Sequence, residues 1–179
     1  MTLSTDDASP VDADAEEIRK LLRHQASTVT VVTAPGAPAV GFTATSFTSV
    51  SLSPPVVSFC LNTGSSSWPT VADTRHVGVH LLAHHQTELA RTFATSGIDR
   101  FAAPTSWRVG PQGVPILDGT LAWLLCRVID RVTVGSHAIV LAEPELIRRA
   151  EIGSPLLYHR GRYTGLAPGT ESWVSRAIA

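Results

Sequence analysis

Gly41-Phe-Thr-Ala-Thr-Ser-Phe-Thr-Ser-Val-Ser51 crowds six hydroxyl side chains into eleven residues without a single charge. Its alternation is that of a strand: Phe42 and Ala44 fall on one face, Thr43 and Thr45 on the other. β-Branched threonines favour that pleated setting. From spacing alone the hydroxyls have two readings. They are the polar face of an edge strand, or, with neighbouring backbone N–H groups, Thr43, Thr45, Ser46 and Ser51 form a phosphate cradle that needs no lysine. Gly41 has no side chain, which lets a planar ring approach the backbone.

Working outward, Thr28-Val-Thr-Val-Val-Thr33 is β-branched throughout, and Pro35-Gly36-Ala37-Pro38 turns it back into Ala39–Phe47 as a hairpin. Ser53-Pro54-Pro55 breaks the ladder before a short buried strand over Val56–Leu61. Trp68–Asp73 reads as one or two helical turns, Val77–Leu82 as a strand, and Gln86–Thr95 as a helix with Leu89 and Phe93 four apart. The polar stretch Gly97–Pro115 is too long for a turn and is a candidate functional loop. Thr120–Val134 and His137–Arg149 form a long hairpin about Gly135-Ser136, and Pro155–Leu166 a last one about Arg160-Gly161. Ahead of all this, Asp12–Gln25 reads as a helix with an acidic start and a basic end. Its stripe of Ile18, Leu21 and Leu22 is expected to pack on the domain as a lid. Residues 1–11 are expected to be disordered, and the tail after 166 carries Trp173 and Ile178 as docking candidates. The domain organisation is thus a tail (1–11), one domain (12–166) and a C-terminal tail (167–179).

Many strands, few helices and no β-α-β alternation exclude a Rossmann sheet, and no GxGxxG follows a strand. An antiparallel barrel with peripheral helices fits this pattern. Net charge is −1, and Lys20 is the only lysine. Nucleic acid is therefore not an expected partner. No apolar run approaches the ~20 residues of a membrane span, so a soluble, cytoplasmic protein is expected. At 16% charged and 44% apolar residues, the chain has apolar surface to hide, which favours an oligomer or a filled pocket. Cys60 and Cys126 lack CxxC spacing and read as two buried thiols in a reducing cytosol, the alternative being a disulfide.

A second polar cluster, Thr63-Gly64-Ser65-Ser66-Ser67-Trp68, precedes a helix. Ser66 and Ser67 are either helix caps or anion donors beside a helix start. His76, His80 and His84 recur every four residues, but on a strand that spacing spans ~13 Å, beyond the reach of one ion, so no metal is expected. A hydrolase is equally unsupported, since there is no GxSxG elbow.

These motifs carry a resemblance. GFTATSFTSVSLSPP, the SSSW loop, Asp99-Arg100-Phe101 with a following Trp, Ile116–Trp123 and Pro155–Tyr163 together resemble, in order, the short-chain flavin reductases of two-component monooxygenases. The resemblance spans about residues 18–166. It implies a mainly β, FMN-binding split β-barrel, antiparallel with Greek-key connections and peripheral helices, acting as a homodimer. It implies hydride transfer from NADH or NADPH to FMN or FAD, with reduced flavin passed to a partner monooxygenase. By the same resemblance the flavin lies along Val40–Ser46. Thr45, Ser46, Ser66 and Ser67 become flavin or phosphate contacts, with Gly41, Phe42, Thr43, Ser51 and Trp68 beside them. Cys60, Leu61 and Asn62 flank the ring or ribityl chain, and Phe93 closes the pocket.

Three departures from the family pattern stand out. Ser136 replaces a common Asp, His80 a common Asn, and Leu125 a common Glu. His137 remains as the residue that would position the nicotinamide; the alternative is a strand histidine beside a turn. Arg100 either contacts a dinucleotide phosphate or pairs with Asp99 at the surface. Two rival functions share the fold: an oxidase with resident FMN, similar to pyridoxamine-phosphate oxidases, and a non-catalytic flavin carrier or sensor.

Overall fold

A computed structural model describes residues 12–150 and 153–166. The tails expected over 1–11 and 167–179, with Trp173 and Ile178, lie outside the described residues. The chain runs through α1 (Ala15–Leu22), β1 (Ser27–Thr28), β2 (Thr30–Ala34), β3 (Val40–Ala44), β4 (Thr48–Leu52) and β5 (Pro55–Asn62). It continues through α2 (Trp68–Asp73), β6 (His76–Leu81), α3 (Thr87–Ala94), β7 (Trp107–Val109) and β8 (Pro115–Leu117). The long strands β9 (Ala122–Val134) and β10 (His137–Arg149) follow, then the small hairpin of β11 (Leu157–His159) and β12 (Arg162–Thr164).

The main sheet is antiparallel, in the order β3-β2-β6-β9-β10-β5-β4. It curls so that Val32, Phe42, Phe59, Val79, Cys126 and Val140, drawn from six strands, meet in one buried cluster. Register shifts in the β9–β10 ladder beside Ala142 and Pro144 supply the bends that such curling needs. A second cluster of Val29, Val31, Leu82, Phe93, Leu117 and Leu156 lies on the other side of β2, under α3. Strand β2 is therefore buried on both faces, which is why its stretch is apolar and β-branched without polar alternation.

Polar groups inside this wall are paired. Thr30 donates to the Ala44 carbonyl at 2.8 Å and Thr33 to the Pro115 carbonyl at 2.7 Å. His80, fully buried, places Nδ1 3.1 Å from the Val31 carbonyl, and its Nε2 accepts the Leu117 N–H at 3.2 Å. Burial drives this imidazole from 6.5 down to about 4, against the opposing effect of the Val31 carbonyl. It is a neutral strut between β2 and β8.

Two expectations need correction. Helix α1 is shorter than Asp12–Gln25 and does not pack as a lid. Asp14 caps it by accepting from the Glu16 and Glu17 N–H groups, yet Ile18, Leu21 and Leu22 stay exposed. Both apolar clusters are already sealed by strands, α2 and α3, so the stripe meets no gap to fill. The stretch 97–115 is likewise not all loop, because β7 pairs with β8 across it. Among the described residues, no helix is long and apolar enough to cross a membrane.

Candidate functional site

β3 runs through Thr45–Phe47 directly into β4, so the two ends of the curled sheet face each other across a seam. β4 pairs with β5 only as far as Thr48 opposite Ser58. Beyond that point the outer edge of Cys60–Asn62 has no strand beside it among the described residues. Ser46 spans the gap: its Oγ accepts the Cys60 N–H at 2.9 Å and donates weakly to the Cys60 carbonyl at 3.4 Å. Nearby, the Asn62 carbonyl accepts from Ser65 N–H at 3.0 Å, and Asn62 Oδ1 from Gly64 N–H at 2.7 Å. A cleft of ≈ 450 Å³ opens along this seam.

The cleft gathers residues far apart in sequence. Phe42–Ser46 form one wall, Cys60–Asn62 and Ser65 the other, while Phe93, Ala94, Ser96, Arg100 and His137 border it. Thr45, Ser46, Asn62 and His137 are exposed, and Cys60 is half-buried. Phe42 and Ala44 point into the core, as alternation requires. Thr43 points the other way, but its hydroxyl is already committed to the Ala90 carbonyl of α3 at 2.6 Å.

Gly41 does admit a planar ring, and the ring belongs to the protein. A Cβ there would lie 2.6 Å from Phe93 Cε1 and 3.0 Å from Cδ1. Phe93 is 1% exposed and stands edge-on to Phe101, with centroids 5.3 Å apart. The glycine thus seats α3 against β3 and fixes the cleft's back wall.

The serine cluster divides. Ser65 lines the seam cleft and exposed Ser66 a neighbouring one. Ser67 is buried, with its hydroxyl donated to the Gly41 carbonyl at 3.3 Å, so it supports the wall from behind. Helix α2 has six residues, and the Trp68 N–H is tied to the Ser65 carbonyl; its start is no open anion site. Trp68 packs on the core. Ser51, on β4, accepts from Ser53 N–H and lies off the cleft.

Arg100 is partly buried, and its Nε donates to the Thr95 carbonyl at 3.0 Å. The expected alternative of a pair with Asp99 fails, because Asp99 Oδ1 accepts the Phe101 N–H instead. The outer guanidinium nitrogens have no carboxylate partner among the described residues. His137 sits at the lip, opposite Asn62 in the ladder. Its Nδ1 lies 3.0 Å from Ser136 Oγ, so a hydroxyl orients the ring where the family pattern has a carboxylate. Leu125 is buried with Val114 and Ile116, an apolar filling where that pattern has Glu.

The family model for the flavin reductase like domain matches residues 22–167. The chain belongs to the flavin reductase-like family. It is 42% identical over 154 residues to an NADH:FMN oxidoreductase of Rhodococcus qingshengii, covering 83% of this chain and 80% of that relative. It is 39% identical over 157 residues to the reductase component of a 4-nitrophenol 4-monooxygenase/4-nitrocatechol 2-monooxygenase of Rhodococcus opacus, covering 87% and 83%. Among solved structures it is similar to the NADH:FAD oxidoreductase SgcE6 of Streptomyces globisporus C-1027, determined with NAD and FAD fragments. That match has a TM-score of 0.85 and 33% identity, over 91% of this chain and 99% of the other. Within this flavin reductase-like frame, sequence reasoning missed Ser65, Ala94 and Ser96 as lining residues. Ser65 was visible in the serine run, whereas Ala94 and Ser96 carry no local signal, since only the docking of α3 on β3 brings them to the seam.

Proposed function

We propose that this chain is an NAD(P)H:flavin oxidoreductase that takes hydride from a reduced nicotinamide to FMN or FAD and supplies reduced flavin to a partner monooxygenase. The observation that carries the reading is the composition of the seam cleft. Among the described residues its walls are apolar or uncharged, it holds no carboxylate, and Arg100 is its one guanidinium. That donor set fits an uncharged planar ring at one end and a phosphate at the other. Its volume also falls in the ~300–1,000 Å³ range of small-molecule sites.

Phe42, Cys60 and Leu61 would bound the ring, with the exposed Thr45, Ser46 and Asn62 offering neutral hydrogen bonds. Ser46 and Asn62 are fixed before any ligand arrives, so orienting it costs little reorganisation. Bound there, the isoalloxazine supplies the two-electron acceptor for the nicotinamide hydride. His137 holds the nicotinamide or its ribose at the lip, and Arg100 holds phosphate. The buried core behind Phe42 and Phe93 keeps water from one side of the cleft.

Relatives that serve as reductase components support a partner oxygenase. A homodimer is supported by the β9–β10 arm, where β9 beyond Val128 has lost its β6 neighbour. Ile129, Val132 and Val134 are exposed there. Use of a reduced nicotinamide as hydride donor supports a cytoplasmic location. The test is aerobic oxidation of NADH and NADPH with FMN, FAD or neither added. Oxidation that depends on added flavin is expected; no flavin-dependent rate with either nicotinamide would overturn the reading.

A further inference from the structure

Strands β9 and β10 carry a second recess at the end away from the seam. Trp123 of β9 stands opposite Arg148 of β10 in the ladder, so the two side chains share one face of the sheet. The β7–β8 pair roofs that face, held there by the Leu117 N–H bond to buried His80, whose own ladder partner on β9 is Trp123. Past Leu117 the chain turns through residues 118–121 and is tied down on both sides. The Leu121 N–H reaches the Leu81 carbonyl at 2.9 Å, and the Leu121 carbonyl accepts the Ala150 N–H at 2.6 Å. Between roof and sheet lies a recess of ≈ 280 Å³ that shares no lining residue with the seam cleft. Arg108, Leu117, Leu121, Trp123 and Arg148 are among its walls.

We infer that this recess is a second binding site, one that takes a small planar carboxylate of the single-ring aromatic-acid class. Two unmet demands carry the inference. The Trp123 indole N–H is buried without a hydrogen-bond partner among the described residues, although its ring packs on Val114, Ile116 and Leu125. A buried donor ordinarily has a partner. Across the ladder, Arg148 has no carboxylate among the described residues. Asp118 answers neither demand, because its two oxygens take the Arg108 guanidinium and the Ser106 hydroxyl. A carboxylate, planar and rich in lone pairs, can meet both the guanidinium fork and the indole N–H. Leu117, Leu121 and the indole give apolar cover to a ring behind it. Inorganic phosphate would satisfy the cation and leave those walls unused. The volume lies below the ~300–1,000 Å³ of drug-sized sites, which suits one ring and not a nucleotide. None of this draws on flavin, so the site stands or falls apart from the proposed reduction.

Calorimetry on the full chain with benzoate, benzamide and inorganic phosphate tests the site, while heteronuclear NMR follows the tryptophan indole N–H signals. Benzoate should bind the parent and shift one indole signal, the one that disappears in Trp123→Phe. Benzamide has the same shape without the charge and should bind about tenfold more weakly. Arg148→Gln should weaken benzoate by a similar factor, and Trp123→Phe, which keeps a ring and loses the donor, by about fivefold. Arg148 is exposed, so that variant should melt like its parent, and its flavin affinity should hold. The inference is overturned if benzoate does not bind the parent, or if benzamide or phosphate binds as tightly. It is overturned as well if Arg148→Gln binds benzoate like its parent, or loses benzoate and flavin together.

Discussion

Two stretches rich in hydroxyls, Thr28–Thr33 and Gly41–Ser51, look alike as sequence and behave oppositely in the fold. In the first, Thr30 and Thr33 are sealed inside and their hydrogen bonds end on Ala44 and Pro115 carbonyls. In the second, Thr45 faces solvent beside a strand edge that no described strand covers, and exposed Ser46 is held only by Cys60. A polar side chain is available to a ligand only where the fold has not already claimed it. Thr43 makes the point within one strand: two residues from Thr45, it is spent on α3.

The largest effect should come from the sealed side. His80→Leu leaves the Val31 carbonyl and the Leu117 N–H without partners, at a cost of about 2–4 kcal/mol in chemical denaturation. Titration offers a second reading of the same strut. Below pH 6.5 the unfolded chain takes up a proton at His80 that the folded chain refuses until about pH 4. Stability from this group is therefore complete above 6.5 and drains away as pH falls toward 4, by about 3 kcal/mol. The variant should flatten that part of the pH profile; an unchanged slope would show that other groups govern it.

Next comes Gly41→Ala, which sets a methyl 2.6 Å from a buried ring. Overpacking of this kind costs about 1–3 kcal/mol. The melting temperature and flavin affinity should fall together, since Phe93 belongs to both wall and core; a variant that melts like its parent would place the ring elsewhere. Ser46→Ala tests the open side. It removes one hydrogen bond to an exposed seam and should weaken flavin binding about fivefold, near 1 kcal/mol, with little change in melting. The smallest effect belongs to Ser51→Ala, where flavin affinity should stay within about a factor of two. A larger drop would mean that the cradle extends onto β4.

The contrast also explains what could be read in advance. Pro35–Pro38, Gly135-Ser136 and Arg160-Gly161 are local punctuation, and each hairpin they mark is present; Ser53-Pro54, read as a break in the ladder, instead turns β4 back onto β5. What escaped was decided by partners distant in sequence. Nothing near Gly41 announces Phe93, fifty-two positions on, and nothing near His80 announces Leu117. The serines of 65–67 look equivalent as a run, and only the approach of Gly41 buries the third. The exposed stripe of α1 misled for a related reason: amphipathicity states that a face wants cover, not which surface supplies it.

At the seam no backbone ladder joins β3 to β5. Where other neighbouring strands are laced by ladders of backbone bonds, Ser46 fastens the hoop to Cys60 with a single good bond. Widening the mouth there forfeits roughly 1 kcal/mol, while every strand pair stays intact. A ligand entering here would meet a purse-string of one bond, with no need to melt the vessel.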